Sequence, residues 1–238
     1  MATQSGISVD LSFGGADSML SDMTLSKVPV ATQAQQLATF LQTYNFASVD
    51  FDIESPVIMQ GNTAATVVSF FNQLHTLLKK AGKQSILTVE GGIAQGPGSG
   101  SPLSPLFTNF STMFDGVNLM LYSTNQYYLD ASNATWGIDQ WLTYIKEPSL
   151  MHIGFYDSID YTNPASSAGE QYAIPKGLTN GQAAAFIYLT MLSQAKYTVS
   201  EFGDPFFWTD DPTTISTNAF FTDFHNYIDA NQTKFQKQ

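Results

Sequence analysis

The chain alternates between two hydrophobic patterns along its whole length. Short runs with contiguous or alternating apolar residues predict strands, and longer runs with apolar residues three or four positions apart predict helices. The predicted strands are GISVDLSFGG, FASVDFDIE, KQSILTVEGG, FDGVNLMLYS, LMHIGFYDS and KYTVSEFGDPFFW. The predicted helices are ATQAQQLATFLQTY, TAATVVSFFNQLHTLLKKAG, the shorter PLSPLFTNFSTMF, TWGIDQWLTYIK, TNGQAAAFIYLTMLSQA and STNAFFTDFHNYIDANQ.

This alternation predicts an α/β fold, with a parallel sheet covered by helices. The long loops follow strands, as in a TIM-type (β/α) barrel, where loops at the carboxyl ends of the strands build the site. A doubly wound sheet also satisfies the alternation. However, no strand is followed by a glycine-rich phosphate-binding motif, which argues against a nucleotide-binding fold. No linker interrupts the pattern, so residues 1–238 are expected to form a single domain.

Composition excludes several classes of partner. The net charge is −11, with only 12% charged residues, which argues against binding to nucleic acid or to anionic membrane surfaces. No apolar run reaches the ~20 residues of a membrane span. The chain has no cysteine, which excludes disulfides and thiolate metal sites. The first residues lack the features of a signal peptide, so the location stays unassigned; secretion is favoured only if a leader was removed.

Three acids at alternate positions are the strongest chemical signal. In the stretch ASVDFDIES, Asp50, Asp52 and Glu54 alternate with apolar residues, so a strand would present all three on one face. Such acids repel one another and are costly to bury. The simple alternatives are a solvated strand end or a metal site. Three such positions span ~13 Å, too far for all to bind one ion, and neither a metal nor a cofactor is expected.

The acid stretch resembles the strand-four signature D-G-x-D-x-D-x-E of glycoside hydrolase family 18, which comprises chitinases and endo-β-N-acetylglucosaminidases. Here the stretch reads A-S-V-D-F-D-I-E, so the last three acids match and the leading Asp-Gly is Ala47-Ser48. At the position before the glutamate, where the family often has an aromatic residue, this chain has Ile53. Other matches follow in the family's order: Ser12, Gly14 and Gly15 for strand three, Met120 and Tyr122 for strand six, IGFYDS for strand seven and Trp208 for strand eight.

The resemblance implies a TIM-type barrel that lacks its first two βα units, since strands one and two of the family have no counterpart. It also implies a substrate-assisted mechanism. Glu54 would protonate the glycosidic oxygen, and the acetamide oxygen of the sugar would attack to form an oxazolinium ion. Asp52 would hold the acetamide N–H, with Asp50 beneath it, and Tyr122 would orient the acetamide oxygen. Clustered carboxylates raise one another's pKa, so Glu54 would hold a proton near neutral pH while the cluster keeps a negative charge.

The predicted substrate carries β-1,4-linked N-acetylglucosamine, either in chitin-type oligomers or in the chitobiose core of N-glycans. Substrate contacts are assigned to Trp208, Met120, Gly14, Gly15, Glu90 and Asp157. Glu90 and Asp157 are included because each lies at the end of a predicted strand. The alternative function is a non-catalytic, chitinase-like carbohydrate-binding protein, or a structural protein that self-associates through open barrel edges. Retention of Glu54 favours the enzyme.

Overall fold

The computed structural model describes residues 8–15, 28–54, 63–90, 97–120, 137–163, 172–208 and 219–235. Strands and helices alternate along these ranges, as the hydrophobic pattern predicts. The strands are β1 (Leu11–Gly14), β2 (Ser48–Ile53), β3 (Gln84–Glu90), β4 (Gly116–Met120), β5 (Met151–Tyr156) and β6 (Phe206–Trp208). The α-helices are α1 (Val30–Thr43), α2 (Ala64–Lys80), α3 (Ile138–Ile145), α4 (Asn180–Gln194) and α5 (Ala219–Asn231).

The described strands are hydrogen-bonded in the order β1-β2-β3-β4-β5-β6, which is their order along the chain. The pairs β1–β2, β2–β3 and β5–β6 are parallel. This confirms the predicted α/β class. Of the described residues, those up to Asn118 form one compact unit and those from Leu119 onward form a second. The expectation of a single domain stays a prediction.

In the first unit, one face of β2 packs on helix α2. Phe51 is fully buried, and its ring meets Phe71 edge-on at a centroid distance of 4.9 Å. The helix begins at the side-chain cap of Thr63, whose hydroxyl accepts the N–H of Thr66, and is followed by Gly82 at φ +67°. Because side chains alternate along a strand, the acids of β2 lie on the face opposite to this aromatic packing.

A buried polar cluster holds the amino end of β3. The N–H of Ser85 donates to Asp115 Oδ2 at 3.0 Å, and its hydroxyl donates to the Met113 carbonyl at 2.8 Å. His75 Nδ1 therefore donates to Ser85 Oγ at 3.0 Å, and Lys79 pairs with Asp115. Burial lowers the pKa of His75, against the raising effect of Asp115. The cluster joins α2, β3 and the segment before β4.

In the second unit, the core is built on β5. Phe155 is fully buried and contacts Tyr188 of α4 and Phe224 of α5 at centroid distances of 6.0 and 5.1 Å. A capping box starts α4, in which the Thr179 hydroxyl accepts the N–H of Gln182 and the Gln182 side chain accepts the N–H of Thr179.

Two elements differ from their prediction. The last strand is limited to Phe206–Trp208, because a capping box between Thr198 and Glu201 turns the chain into a 3₁₀ helix at Val199–Glu201. The predicted short helix in PLSPLFTNFSTMF is two 3₁₀ segments, Ser104–Phe107 and Phe110–Thr112. Neither difference affects β2, where the acids lie.

Candidate active site

The acids of β2 lie together on one face, as the alternation predicts. Asp50 and Asp52 are inside the strand, and Glu54 is the first residue beyond its carboxyl end. The Asp52 residue is only 7% exposed, whereas Asp50 and Glu54 are half-buried. The arrangement therefore places one deeply buried carboxyl between two that are partly open to solvent.

The paired glycines after β1 lie against Asp52. Gly14 is aligned with Asp52 in the parallel pairing of β1 and β2. The N–H of Gly15 donates to the backbone carbonyl of Asp52 at 3.0 Å, with φ at +94°, a conformation that favours glycine. The structure thus brings two predicted substrate-contact residues to the central acid.

Asp50 is held by hydroxyl groups from both neighbouring strands. Ser12 of β1 donates to its Oδ2 at 2.7 Å, and Thr88 of β3 donates to its Oδ1 at 2.6 Å. Asn118 of β4 in turn donates through Nδ2 to Thr88 Oγ1 at 3.0 Å. Four strands of the first unit therefore contribute to the surroundings of this carboxyl.

Burial and mutual repulsion shift the titration of the carboxyls. Burial raises the pKa of Asp52 to about 7, and the charges of Glu54 and then Asp50 act in the same direction. Burial also raises the pKa of Asp50, although the hydrogen bonds from Thr88 and Ser12 oppose that rise. The pKa of Glu90, at the end of β3, is raised by burial and then by the charge of Glu54. Near neutral pH, Asp52 is therefore a group that exchanges a proton.

Asp52 also has an unused acceptor. Within the part of the chain that the structure describes, its Oδ1 atom is buried and has no hydrogen-bond partner. A buried polar atom without a partner is costly, typically by about 1–3 kcal/mol. An N–H group of a ligand would satisfy this oxygen. The site can therefore offer both a proton and an acceptor at Asp52.

The raised pKa of Asp52 predicts that the stability of the protein decreases as the pH rises. The folded state keeps the proton up to about pH 7, whereas the unfolded chain loses it near pH 4. Between these values the folded state binds more protons, so the free energy of unfolding decreases as the pH rises. Asp52→Asn has no such proton, so between pH 5 and pH 8 its free energy of unfolding should decrease by roughly 1–3 kcal/mol less than that of the wild type. Urea unfolding at the two pH values measures the difference.

The matched control is Asp229→Asn, which changes an exposed acid on helix α5. It should keep the pH dependence of the wild type. Parallel pH profiles for wild type and Asp52→Asn would contradict the assignment of a raised pKa to this carboxyl.

The remaining predicted residues lie in the second unit or outside the described residues. Asp157 and Trp208 lie side by side at the carboxyl ends of β5 and β6, where the N–H of Asp157 donates to the Trp208 carbonyl at 3.3 Å. Trp208 is 50% exposed, as a stacking surface requires. Met120 ends β4 and is buried. Tyr122 lies outside the described residues, so its predicted contact with the acetamide stays a prediction.

Two neighbours of the acids, Thr88 and Asn118, are not among the residues that the sequence pattern predicts for the site. Each is the single polar residue inside the stretches ILTV and VNLM. A lone polar residue in an apolar strand is usually one that finds a structural partner, so the pattern alone does not point to a site. The signal that was available is their position near the middle of strands next to the acid strand in chain order.

The described residues offer neither a metal-binding cluster nor a membrane-spanning helix. These residues contain no group of three or more His, Cys, Asp or Glu side chains arranged to hold a metal ion. No helix among them is long and apolar enough to cross a membrane.

Comparison with known proteins shows the fold. No protein-family model matches the chain, and no curated protein matches it. Among solved structures, a glycoside hydrolase family 18 chitinase from Pseudoalteromonas aurantia matches with a TM-score of 0.64 at 16% identity, over 93% of this chain and 78% of that one. A chitinase from Chromobacterium violaceum matches at 0.58 and a class V chitinase from Pseudomonas fluorescens at 0.59, both at 12% identity, over 95% of this chain and 82% of theirs.

These matches confirm the resemblance to family 18 chitinases at the level of the fold. They extend over nearly the whole of this chain, so the likeness is not limited to the acid strand. The TIM-type α/β class is thereby confirmed. At identities of 12–16%, the roles of individual residues must be argued from the site itself.

Proposed function

We propose that the protein is a glycoside hydrolase that cleaves β-1,4-linked N-acetylglucosamine by a substrate-assisted, retaining mechanism. The observation that carries this proposal is the state of Asp52. It is a buried carboxyl with a pKa raised to about 7, it has an unused acceptor oxygen, and it lies two residues from the half-exposed Glu54. The resemblance of the fold to solved chitinases supports the same class.

In this mechanism, Glu54 donates its proton to the glycosidic oxygen as the bond to the leaving sugar breaks. The acetamide oxygen of the remaining sugar attacks its own anomeric carbon and forms an oxazolinium ion. Asp52 Oδ1 accepts the acetamide N–H, which becomes more acidic as positive charge develops on the ring. Water then opens the ring, with Glu54 acting as base, and the anomeric configuration is retained.

The other carboxyls keep the site negative. Asp50 lies two residues before Asp52 inside the strand and receives two hydroxyl donors, which favour its ionised form. Its charge adds to the stabilisation of the cationic intermediate. Glu90, at the end of the neighbouring strand, is assigned a substrate contact beside Glu54.

The test of this proposal is turnover by the wild-type protein. Purified protein incubated with N-acetylchitohexaose should release shorter oligomers with new reducing ends, detected by chromatography. Proton NMR during the first minutes should show the β-anomer at the new reducing end, as retention requires. An N-glycan carrying an intact chitobiose core should be tested in parallel, because cleavage of one substrate and not the other identifies the substrate class.

If the protein cleaved neither substrate, the enzyme assignment would be overturned. Binding of chitohexaose without turnover would support the alternative of a non-catalytic carbohydrate-binding protein. The alternative of self-association rests on β1, which is an edge strand in the described sheet order. Light scattering of the same samples would reveal it as a mass that rises with concentration.

A further inference from the structure

Two polar side chains near Asp50 have no part in the reaction proposed above. Thr88, in the middle of β3, is 5% exposed, and Asn118, in the middle of β4, is half-buried. They are joined to each other and to Asp50 in a chain of hydrogen bonds that runs from Asn118 to Thr88 to Asp50. A buried polar chain of this kind has a direction, because each hydroxyl has only one proton to give.

Asn118 fixes that direction. Its Nδ2 group donates to Thr88 Oγ1 at 3.0 Å and so occupies an acceptor position of the hydroxyl. The single hydroxyl proton is then left for Asp50 Oδ1, at 2.6 Å. The distance is in the range of a hydroxyl bonded to a charged carboxylate. This chain of hydrogen bonds therefore presents a donor, and never an acceptor, to Asp50.

The direction of the chain sets where the proton of the neighbouring acids resides. Asp50 receives donors on both oxygens, from Thr88 and from Ser12, and each donor favours its ionised form. In the described part of the chain Asp52 Oδ1 has no such donor. Two neighbouring carboxyls resist simultaneous ionisation, so the carboxyl with more hydrogen-bond donors keeps the charge and the other keeps the proton.

We infer that Thr88 and Asn118 are positioning residues that keep Asp50 charged and thereby leave the proton on Asp52, beside Glu54. This inference rests on the proposed function for its consequence in catalysis, although the hydrogen bonds stand without it. Neither side chain touches the reacting atoms. Their effect passes through the charge of Asp50.

Other charged groups near Asp50 act in both wild type and variants. Asp10, just before β1, raises the pKa of Asp50 by repulsion. Asp52 follows on its own strand, Glu54 lies just beyond the end of that strand, and Glu90 lies two residues beyond Thr88 on β3. Strand β4 contains no charged residue. A change at Thr88 or Asn118 therefore alters only the donors to Asp50 and leaves this set of charges intact.

The decisive variant is Thr88→Val, which keeps the shape of the side chain and removes the hydroxyl. Without this donor the pKa of Asp50 should rise, so the acidic limb of kcat/KM against pH should move up by about one pH unit. Thr88→Ser should restore the wild-type limb. The control Thr190→Val removes a half-buried hydroxyl bonded within helix α4 and should leave the limb in place.

A double-mutant cycle tests whether Asn118 acts through Thr88. Asn118→Leu should shift the acidic limb in the same direction and by less, because the Thr88 hydroxyl remains but is free to rotate. In the double variant with Thr88→Val, the limb should match that of Thr88→Val alone. Additive shifts would show that Asn118 acts independently of Thr88. They would overturn the relay, by which we mean the hydrogen bonds from Asn118 through Thr88 to Asp50.

A readout without activity separates the relay from the proposed function. Carbon-13 NMR of the intact protein labelled at aspartate carboxyls, assigned with Asp50→Asn and Asp52→Asn, follows each titration directly. The Asp50 titration should move up by about one pH unit in Thr88→Val. An unchanged titration would overturn the inference even in an active enzyme. A shifted titration in a protein without glycosidase activity would support the relay and contradict the proposed function alone.

Discussion

Glu54→Gln should lower the rate of N-acetylchitohexaose hydrolysis by about 10²–10⁴-fold, the usual contribution of a positioned acid. Glutamine has nearly the same shape but no proton to donate to the leaving oxygen. Because the sugar is held mainly by other groups, its affinity should change little. Initial rates at saturating substrate measure the first effect, and calorimetric titration of the variant with the same oligosaccharide measures the second.

The matched control for this variant is Glu147→Gln, which removes an exposed carboxyl just before β5. It changes the net charge by the same amount and should retain full activity. If Glu54→Gln kept wild-type turnover, another group would have to supply the proton, and the assignment of Glu54 would be wrong. If it lost binding together with turnover, its role would be to hold the substrate.

Phe51→Ala should lower the free energy of unfolding by about 3–5 kcal/mol, the range for removing a fully buried aromatic ring. Phe51 lies between Asp50 and Asp52 in sequence and faces the opposite side of β2. Its ring packs edge-on against Phe71 and Phe70 of α2, at 4.9 and 6.3 Å. Removing it leaves a cavity between strand and helix. Urea unfolding followed by circular dichroism gives the loss.

The comparison variant is Phe40→Ala on helix α1, where the ring is 43% exposed. Its loss should stay below about 1 kcal/mol. Phe51→Leu should recover much of the stability lost in Phe51→Ala, because it refills part of the cavity. Equal losses at Phe40 and Phe51 would contradict the account of β2 as a strand anchored by its aromatic face.

The fold was predictable where hydrophobic spacing and capping signals agree. Helix α2 is an example, since Thr63, the apolar face and Gly82 mark its beginning, its body and its end. The last strand was predicted too long, because the alternation in KYTVSEF has the period of a strand. The capping box between Thr198 and Glu201 overrides it. Local hydrogen bonding of this kind competes with a sheet that the sequence alone does not reveal.

The site was predictable where its residues lie on one strand. A five-residue stretch with an acid at every second position, Asp50, Asp52 and Glu54, is enough to predict that the three share one face. Thr88 is 38 residues from Asp50, and Asn118 is 30 residues from Thr88. Their meeting depends on how three strands align in the sheet, which no local pattern encodes.

The polar cluster around Ser85 bears on this alignment. A strand that slips by one residue against its neighbours turns every side chain to the opposite face. In β3 such a slip would turn Thr88 and Glu90 towards the helices and bring Leu87 and Val89 to the acids. It would also break the bonds of Ser85 to Asp115 and Met113. The cluster at the amino end of β3 thus fixes the register of the strand. The position of Thr88, and of Glu90 at its carboxyl end, depends on that register.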